Sequence, residues 1–216
     1  MKAEKKFYDD IYKKIVENGD DKIGVKTHNE ILNKFILDWL PDEEGKILSI
    51  GCGALYETDI FKRKKLTVYG IDISENAIKL AKRNDVKVKI GDARVKIPFQ
   101  NNFFDVIYAG QVIEHLGVLG NFFQEMNRVL KKEGVLIITC PLLGFWRYRI
   151  KLLFGSDIFD DHHCRLFTIS SIRSNMEKNG FILKESRVVG KLKFINKSLC
   201  GFGFFKGIKI RDKDNV

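Results

Sequence analysis

Two aspartates and a pair of glycines are spaced in this chain as a nucleoside site needs them. The apolar run Ile47-Leu48-Ser49-Ile50 leads into Gly51-Cys52-Gly53. Glycines after a strand let the backbone take dihedrals closed to other residues and lie close to a ligand. Asp72 ends a second apolar run, "LTVYGID", about 20 residues beyond that loop, where a carboxylate can accept from both hydroxyls of a ribose. Asp92 follows a third run, "VKVKI". Its carboxylate is placed to accept from an exocyclic amine while the N–H of Ala93 donates to a ring nitrogen, and adenine offers those two partners side by side. Both phosphate fingerprints are incomplete. G-x-G-x-x-G has Tyr56 in its last place, and the Gly-Lys-Ser/Thr ending of a phosphate loop is missing. The pattern is that of an adenosine site without a pyrophosphate.

These residues need a scaffold, and the hydrophobic pattern supplies one. Phe7, Tyr8, Ile11, Tyr12 and Ile15 recur at helical spacing before Gly19; Ile31, Leu32, Phe35, Ile36 and Trp39 do so before Pro41. Strand and helix then alternate. "KILSI", "LTVYGID", "VKVKI", "FDVIYAG", "VLIITC" and "FILKESRVV" read as strands. Between them "ENAIKLAKR" reads as a helix capped by Ser74. "NFFQEMNRVLKKEG" reads as one capped by Asn121 and ended by Gly134, and "TISSIRSNMEKNG" as one running from Thr168 to Gly180. Such alternation means an α/β fold: a doubly wound, mostly parallel sheet with helices on both faces. Ligands of such sheets bind at the carboxyl ends of the strands, where strand order reverses.

Composition narrows the class. The chain has 216 residues, 44% hydrophobic and 31% charged, enough to bury a core as one domain. No apolar run approaches the roughly 20 residues that span a bilayer. The first residues, "MKAEKKFYDDIYKK", are charged throughout, so the expected location is cytoplasmic. Cys52, Cys140, Cys164 and Cys200 form no CxxC pair and read as reduced structural thiols. The net charge of +10 is compatible with nucleic acid or a lipid surface, and equally with a lysine-rich solvated exterior.

The motifs taken in order resemble a known family. "ILSIGCG", "VYGIDIS", "GDARVKIPFQNNFFDVI", "GQVIEHL" and "NRVLKKEGVLIITCP" resemble the successive motifs of class I S-adenosylmethionine-dependent methyltransferases, in their small-molecule branch. The resemblance runs from about Leu40 to Pro141 and resumes at "HCRLFT…NGF". It implies a Rossmann-like, seven-stranded sheet and one methyltransferase domain over 1–216. Within that domain, 1–40 would be a helical cap, 142–166 a lid over the acceptor and 190–216 a basic aromatic tail. It implies S-adenosylmethionine as cofactor, held by Gly51, Cys52, Gly53, Asp72, Ile73, Asp92, Ala93 and Gln111. The acceptor would be a small molecule of the saccharide or lipid-intermediate kind. The loop departs from the family at two places: Ser49 stands where the family carries Asp or Glu, and Leu55 where it carries a third glycine.

Methyl transfer is an in-line displacement with a good leaving group, so it asks for alignment and sometimes a base, not a triad. His115 is the candidate base; its alternative is a structural histidine at a turn. Glu114 reads as exposed. His163 and Arg165, in "HCRLFT", are candidates for holding the acceptor or for anchoring the lid, with Arg165 tied to Asp160 or Asp161. No metal is expected, because His162-His163 beside Asp160-Asp161 lacks a third ligand elsewhere. Tyr8 and Tyr12 could close over the cofactor or simply pack. Phe194, Phe202, Phe204 and Phe205 could cover the sheet edge or meet a membrane or RNA. Two rival readings are an RNA methyltransferase, motivated by charge, and a non-catalytic cofactor-binding protein, motivated by Ser49 and Leu55. The oligomeric state is not legible.

Overall fold

The computed structural model describes residues 2–18, 29–55, 57–82, 86–143, 150, 153–154, 164–189 and 201–212. Two helices come first, α1 (Lys2–Asn18) and α2 (Asn29–Trp39). The order is then β1 (Gly45–Ile50), α3 (Thr58–Arg63), β2 (Leu66–Asp72), α4 (Glu75–Ala81), β3 (Lys87–Ile90) and β4 (Phe104–Gly110). A 3₁₀ turn at Ile113–His115 leads to α5 (Gly120–Val129), β5 (Leu130–Pro141), α6 (Ile169–Lys178), β6 (Phe181–Val189) and β7 (Phe202–Lys209).

The seven strands form one sheet in the order β3-β2-β1-β4-β5-β7-β6. Only β7 runs antiparallel to its neighbours. The expected doubly wound, mostly parallel sheet is therefore present. Its strands are apolar on both faces because helices cover both. Leu48, Ile50, Ile107, Ala109, Leu136 and Ile138 face one core with Phe122, Phe123, Met126, Ile172 and Met176 of α5 and α6. Ile47, Val68, Val106, Tyr108 and Ile137, one residue out of phase, face the other with Ile36, Trp39, Ile60, Phe61 and Ile78 of α2, α3 and α4. Chain order reverses between β1 and β4, which opens the crevice at their carboxyl ends.

Several local expectations hold. Ser74 caps α4, its hydroxyl accepting from Ala77 N at 3.1 Å. Thr168 caps α6 in a capping box with Ser171. The edge strand β3 carries Lys87 and Lys89 over the rings of Tyr69 and Phe99, charges that discourage a further strand from pairing there.

Two expectations are corrected. The helix read as running to Gly134 is α5, which ends at Val129. Continuing it would require the carbonyls of residues 127–130 to accept from residues 131–134. Instead Lys209 Nζ takes Asn127 O at 2.7 Å and Leu130 O at 2.8 Å. Asn102 N takes Arg128 O and Phe103 N takes Val129 O. Asn121 does not cap α5 either; its amide donates to the carbonyls of Arg94 and Val95. The second correction is the end of the chain. Residues 202–209 are not a cover for the sheet edge but a strand inserted between β5 and β6, with Phe204 and Phe205 buried. Phe194 lies outside the described residues.

Candidate functional site

A cavity opens at the carboxyl ends of β1 to β4. Its walls include Gly51, Asp72, Ile73, Asp92, Ala93 and Gln111, with His115 and, from α1, Tyr8 and Tyr12. Six of the eight residues expected to hold the cofactor thus meet in one space with the candidate base. The other two, Cys52 and Gly53, are buried beside it. The Cys52 thiol faces the backbone of Gly70, and its N–H donates to Ile71 O at 3.0 Å. Gly53 N donates to Asp72 Oδ2 at 2.9 Å, and Leu55 N to Cys52 O at 2.8 Å. These loop N–H groups are spent inside the fold, which agrees with a loop that cradles no phosphate.

The loop takes left-handed backbone at Gly51 (φ 60°), Gly53 (φ 51°) and Leu55 (φ 57°). A side chain at Gly53 would collide with the Tyr12 hydroxyl. Leu55 keeps the glycine-like conformation although it is a leucine, a strain of about 1 kcal/mol that its complete burial offsets. Ser49 is buried within β1 and is not part of the cavity wall.

Asp72 is 7% exposed, and both its oxygens are held by rigid backbone: Gly53 N on one, Ser74 N on the other at 2.8 Å. Burial lifts its carboxyl above the usual range, and those N–H groups pull against the rise. Each oxygen keeps a lone pair for a ligand hydroxyl. Asp92 is held differently, by a side chain. Burial would raise its carboxyl, but the hydrogen bonds of Arg94 together hold it below the usual range. In the sequence only the word "DAR" places Arg94 beside Asp92.

Above the floor, α1 is latched to the start of α4. Asp9 accepts from Ser74 Oγ at 2.6 Å, and Asn76 Nδ2 donates to Asp9 O at 3.1 Å. This latch sets Tyr12 over Gly53 and brings the ring of Tyr8 edge-on to His115, centroids 5.9 Å apart. Gln111 has φ 55°, and its amide donates to Thr139 Oγ1 at 3.1 Å. Leu55, Lys65, Asn102 and Glu133 share this left-handed backbone, so at Gln111 it marks a tight turn.

The wall beside His115 brings a further correction. Glu114, expected to be exposed, is 0% exposed, and neither carboxyl oxygen has a hydrogen-bond partner. Burial pushes its carboxyl up to about 8. Its backbone carbonyl accepts from the N–H groups of Cys164 and Arg165. The Arg165 guanidinium donates to the carbonyls of Leu116 and Gly117. Arg165 therefore clamps residues 114–117 through backbone oxygens and does not line the cavity. His162, His163, Asp160 and Asp161 lie outside the described residues. Among the described residues there is no cluster of metal ligands, and no helix is long and apolar enough to cross a membrane.

Fold and cavity define a doubly wound protein with Asp72, Asp92 and Gly51 around a cavity at its strand ends, and comparison with known proteins carries this further. Residues 48–138 match the methyltransferase domain family. A probable S-adenosylmethionine-dependent methyltransferase of Mycobacterium tuberculosis is 26% identical over 170 residues, 78% of this chain and 54% of that protein. A ubiquinone biosynthesis O-methyltransferase of Pelagibacter ubique is 32% identical over 98 residues, 44% of this chain and 41% of that protein. Among solved structures, a Haloferax volcanii putative methyltransferase, in complex with the Trm112 methyltransferase activator, superposes with a TM-score of 0.72. It is 15% identical, covering 93% of this chain and 98% of that one. Over residues 48–138 the chain is thus similar to methyltransferase domains, and its fold is the one that solved structure shares. It spans about half the length of the mycobacterial relative.

Proposed function

We propose that this chain transfers a methyl group from S-adenosylmethionine to a small-molecule acceptor, of the saccharide or lipid-intermediate kind. The observation that carries the reading is the meeting of Asp72, Asp92, Ala93, Gly51 and Gln111 around one cavity whose glycine loop has no phosphate cradle. The likeness to a ubiquinone biosynthesis O-methyltransferase supports an oxygen atom as the acceptor.

In this reading Asp72 accepts from the ribose hydroxyls, held in place by Gly53 and Ser74. Asp92 and the Ala93 N–H read the adenine edge. Gly51, at the switch point, lets the methionine end pass close to the backbone, and Gln111 supports it from β4. When bound, the cofactor supplies a sulfonium methyl whose leaving group is a neutral thioether. Tyr8 and Tyr12 exclude water from above. His115, oriented by Tyr8, accepts the proton that a hydroxyl acceptor loses. Arg165 steadies the turn that carries His115, and His163 contributes to holding the acceptor. The whole chain works as one domain.

The test is transfer of labelled methyl from S-adenosylmethionine into separated small-molecule, lipid and RNA fractions of a cell extract. Label in the small-molecule or lipid fraction, falling at least tenfold with His115→Ala, is the expected result. Label confined to RNA supports the rival acceptor class. No label in any fraction, from a protein that binds the cofactor, supports a binding protein without catalysis.

A further inference from the structure

Gln111 lines the cavity, and its side chain can present either of two ends to a ligand, an N–H donor or a carbonyl acceptor. Three residues behind it decide which. Its backbone N–H donates to Thr139 O at 2.9 Å, and its Nε2 donates to Thr139 Oγ1 at 3.1 Å. Thr139 lies on β5, 1% exposed, opposite Gly110 in the ladder with β4. Its hydroxyl also hydrogen-bonds the phenol of Tyr108 on β4. Tyr108 is buried, with its ring edge-on to Phe61. Gly110 makes that reach possible. Residues 108 and 110 share one face of β4, and a side chain at 110 would collide with the Tyr108 hydroxyl.

This chain of bonds has a direction. A threonine hydroxyl has one proton and two lone pairs. Given to the Tyr108 oxygen, that proton leaves Thr139 only lone pairs to offer Gln111, and only the NH₂ end of the amide can answer them. Thr139 and Tyr108 both sit on buried, paired strands, so the amide is held from a rigid side. With Nε2 committed to Thr139, Oε1 is the end that Gln111 brings to the cavity. The two acids that line the cavity, Asp72 and Asp92, are engaged by ribose and adenine in the reading proposed above. Ser49, the register partner of Tyr108 on β1, is buried and uncharged.

We infer that Thr139 and Tyr108 are positioning residues that fix Gln111 with its carbonyl oxygen toward the cavity, and that this oxygen accepts from the α-ammonium of the cofactor's methionine end. The inference rests on the S-adenosylmethionine reading of the cavity and deepens it. An amide turned the other way would present N–H groups, which suit the α-carboxylate and repel the ammonium. The two charged groups of the methionine end are thereby told apart by a side chain that carries no charge. Neither Thr139 nor Tyr108 lines the cavity. Both act through Gln111, so they govern affinity rather than the chemical step.

The experiment is titration calorimetry with S-adenosylhomocysteine and with its analogue lacking the α-amino group. The proteins are wild type, Gln111→Met, Thr139→Val, Tyr108→Phe and the double variant Thr139→Val with Gln111→Glu. Thermal unfolding without ligand shows that each is folded. Wild type should prefer S-adenosylhomocysteine to the deamino analogue. Gln111→Met should weaken S-adenosylhomocysteine about 20-fold and leave the analogue unchanged. Thr139→Val frees the amide to turn and should weaken S-adenosylhomocysteine alone by about fivefold. Tyr108→Phe lets Thr139 give its proton to Gln111 and should act in the same direction. The double variant should recover the preference, because both oxygens of the carboxylate introduced by Gln111→Glu accept whichever way it turns. A wild type that binds the two ligands equally overturns the inference and leaves the cofactor reading standing. So does a loss in Thr139→Val or Tyr108→Phe that is absent or equal for both ligands, or a double variant that recovers nothing, since these residues would then support the strands and not the amide's orientation. A wild type that binds neither ligand overturns the cofactor reading and the inference with it. Tyr108→Phe keeps the test falsifiable if Thr139→Val does not fold.

Discussion

The floor of the cavity and the turn behind His115 each bury a carboxyl group, and they treat it in opposite ways. On the floor, Asp72 receives two backbone N–H groups from fixed elements. Behind the cavity, Glu114 is more deeply buried and its carboxyl oxygens receive no hydrogen bond. Far from the cavity, Lys209 repeats the first pattern: it is 0% exposed, yet its ammonium reaches Asn102 Oδ1, Asn127 O, Leu130 O and Asp212. A buried ion is tolerated where polar partners replace water, and is otherwise driven to its neutral form. The floor is thus arranged for a charge that a ligand can use. The turn behind His115 holds an acid whose backbone, not its side chain, ties residues 164–165 to it.

The contrast predicts substitutions of opposite sign. Glu114 has the largest expected effect. Burial pushes its folded carboxyl up to about 8 from the ordinary 4.5. Below the lower value both folded and unfolded states are protonated, and the group's contribution to stability is fully present. Between the two values only the unfolded chain ionises, and stability falls by about 1.4 kcal/mol per pH unit until the folded group ionises as well. Glu114→Gln should therefore match wild type near pH 4.5 and exceed it near pH 8 by up to about 4 kcal/mol in denaturant unfolding. An equal pH dependence in both proteins would break the comparison.

Lys209→Met removes a satisfied charge and leaves the carbonyls of Asn127 and Leu130 without their donor. It should destabilise by about 3 kcal/mol at pH 7, read in the same unfolding measurement. Asp72→Asn, with one of two N–H groups now facing an amide, should lower affinity for adenosyl ligands by about 100-fold in calorimetry. The smallest effect belongs to the latch on α1. Asp9→Ala loses the bonds from Ser74 and Asn76 and should cost about 1 kcal/mol of stability, with faster cofactor release in stopped-flow fluorescence.

The same contrast explains what was legible in the sequence. The floor was readable because its logic is local. A strand, a glycine turn and an acid at each strand end follow one another along the chain, and Asp72, Asp92, Ala93, Gly51 and Gln111 all meet in the cavity. The doubly wound sheet was readable for the same reason, from short apolar runs alternating with period-3.6 runs. What escaped depends on partners distant in sequence. α5 stops at Val129 because residues 102, 103 and 209 take its carbonyls. Residues 202–209 form the strand between β5 and β6, a pairing that lysines interleaved with phenylalanines do not reveal. Glu114 sits in a polar-looking word, "IEHL", and only the packing of the turn shows that it is buried. Leu55 departs from the family glycine, yet the backbone keeps φ 57°. Sequence marked the departure, and geometry shows that the loop's shape survives it.

The central claim is that the floor binds an adenosyl cofactor and not a dinucleotide. The direct measurement is a thermal-unfolding scan of the whole chain with S-adenosylmethionine, S-adenosylhomocysteine and NAD, each in excess. A ligand at about 100 times its dissociation constant stabilises by roughly 2.7 kcal/mol. The account predicts a clear upward shift with both adenosyl ligands and none with NAD. No shift with either adenosyl ligand, or a shift with NAD alone, would contradict it.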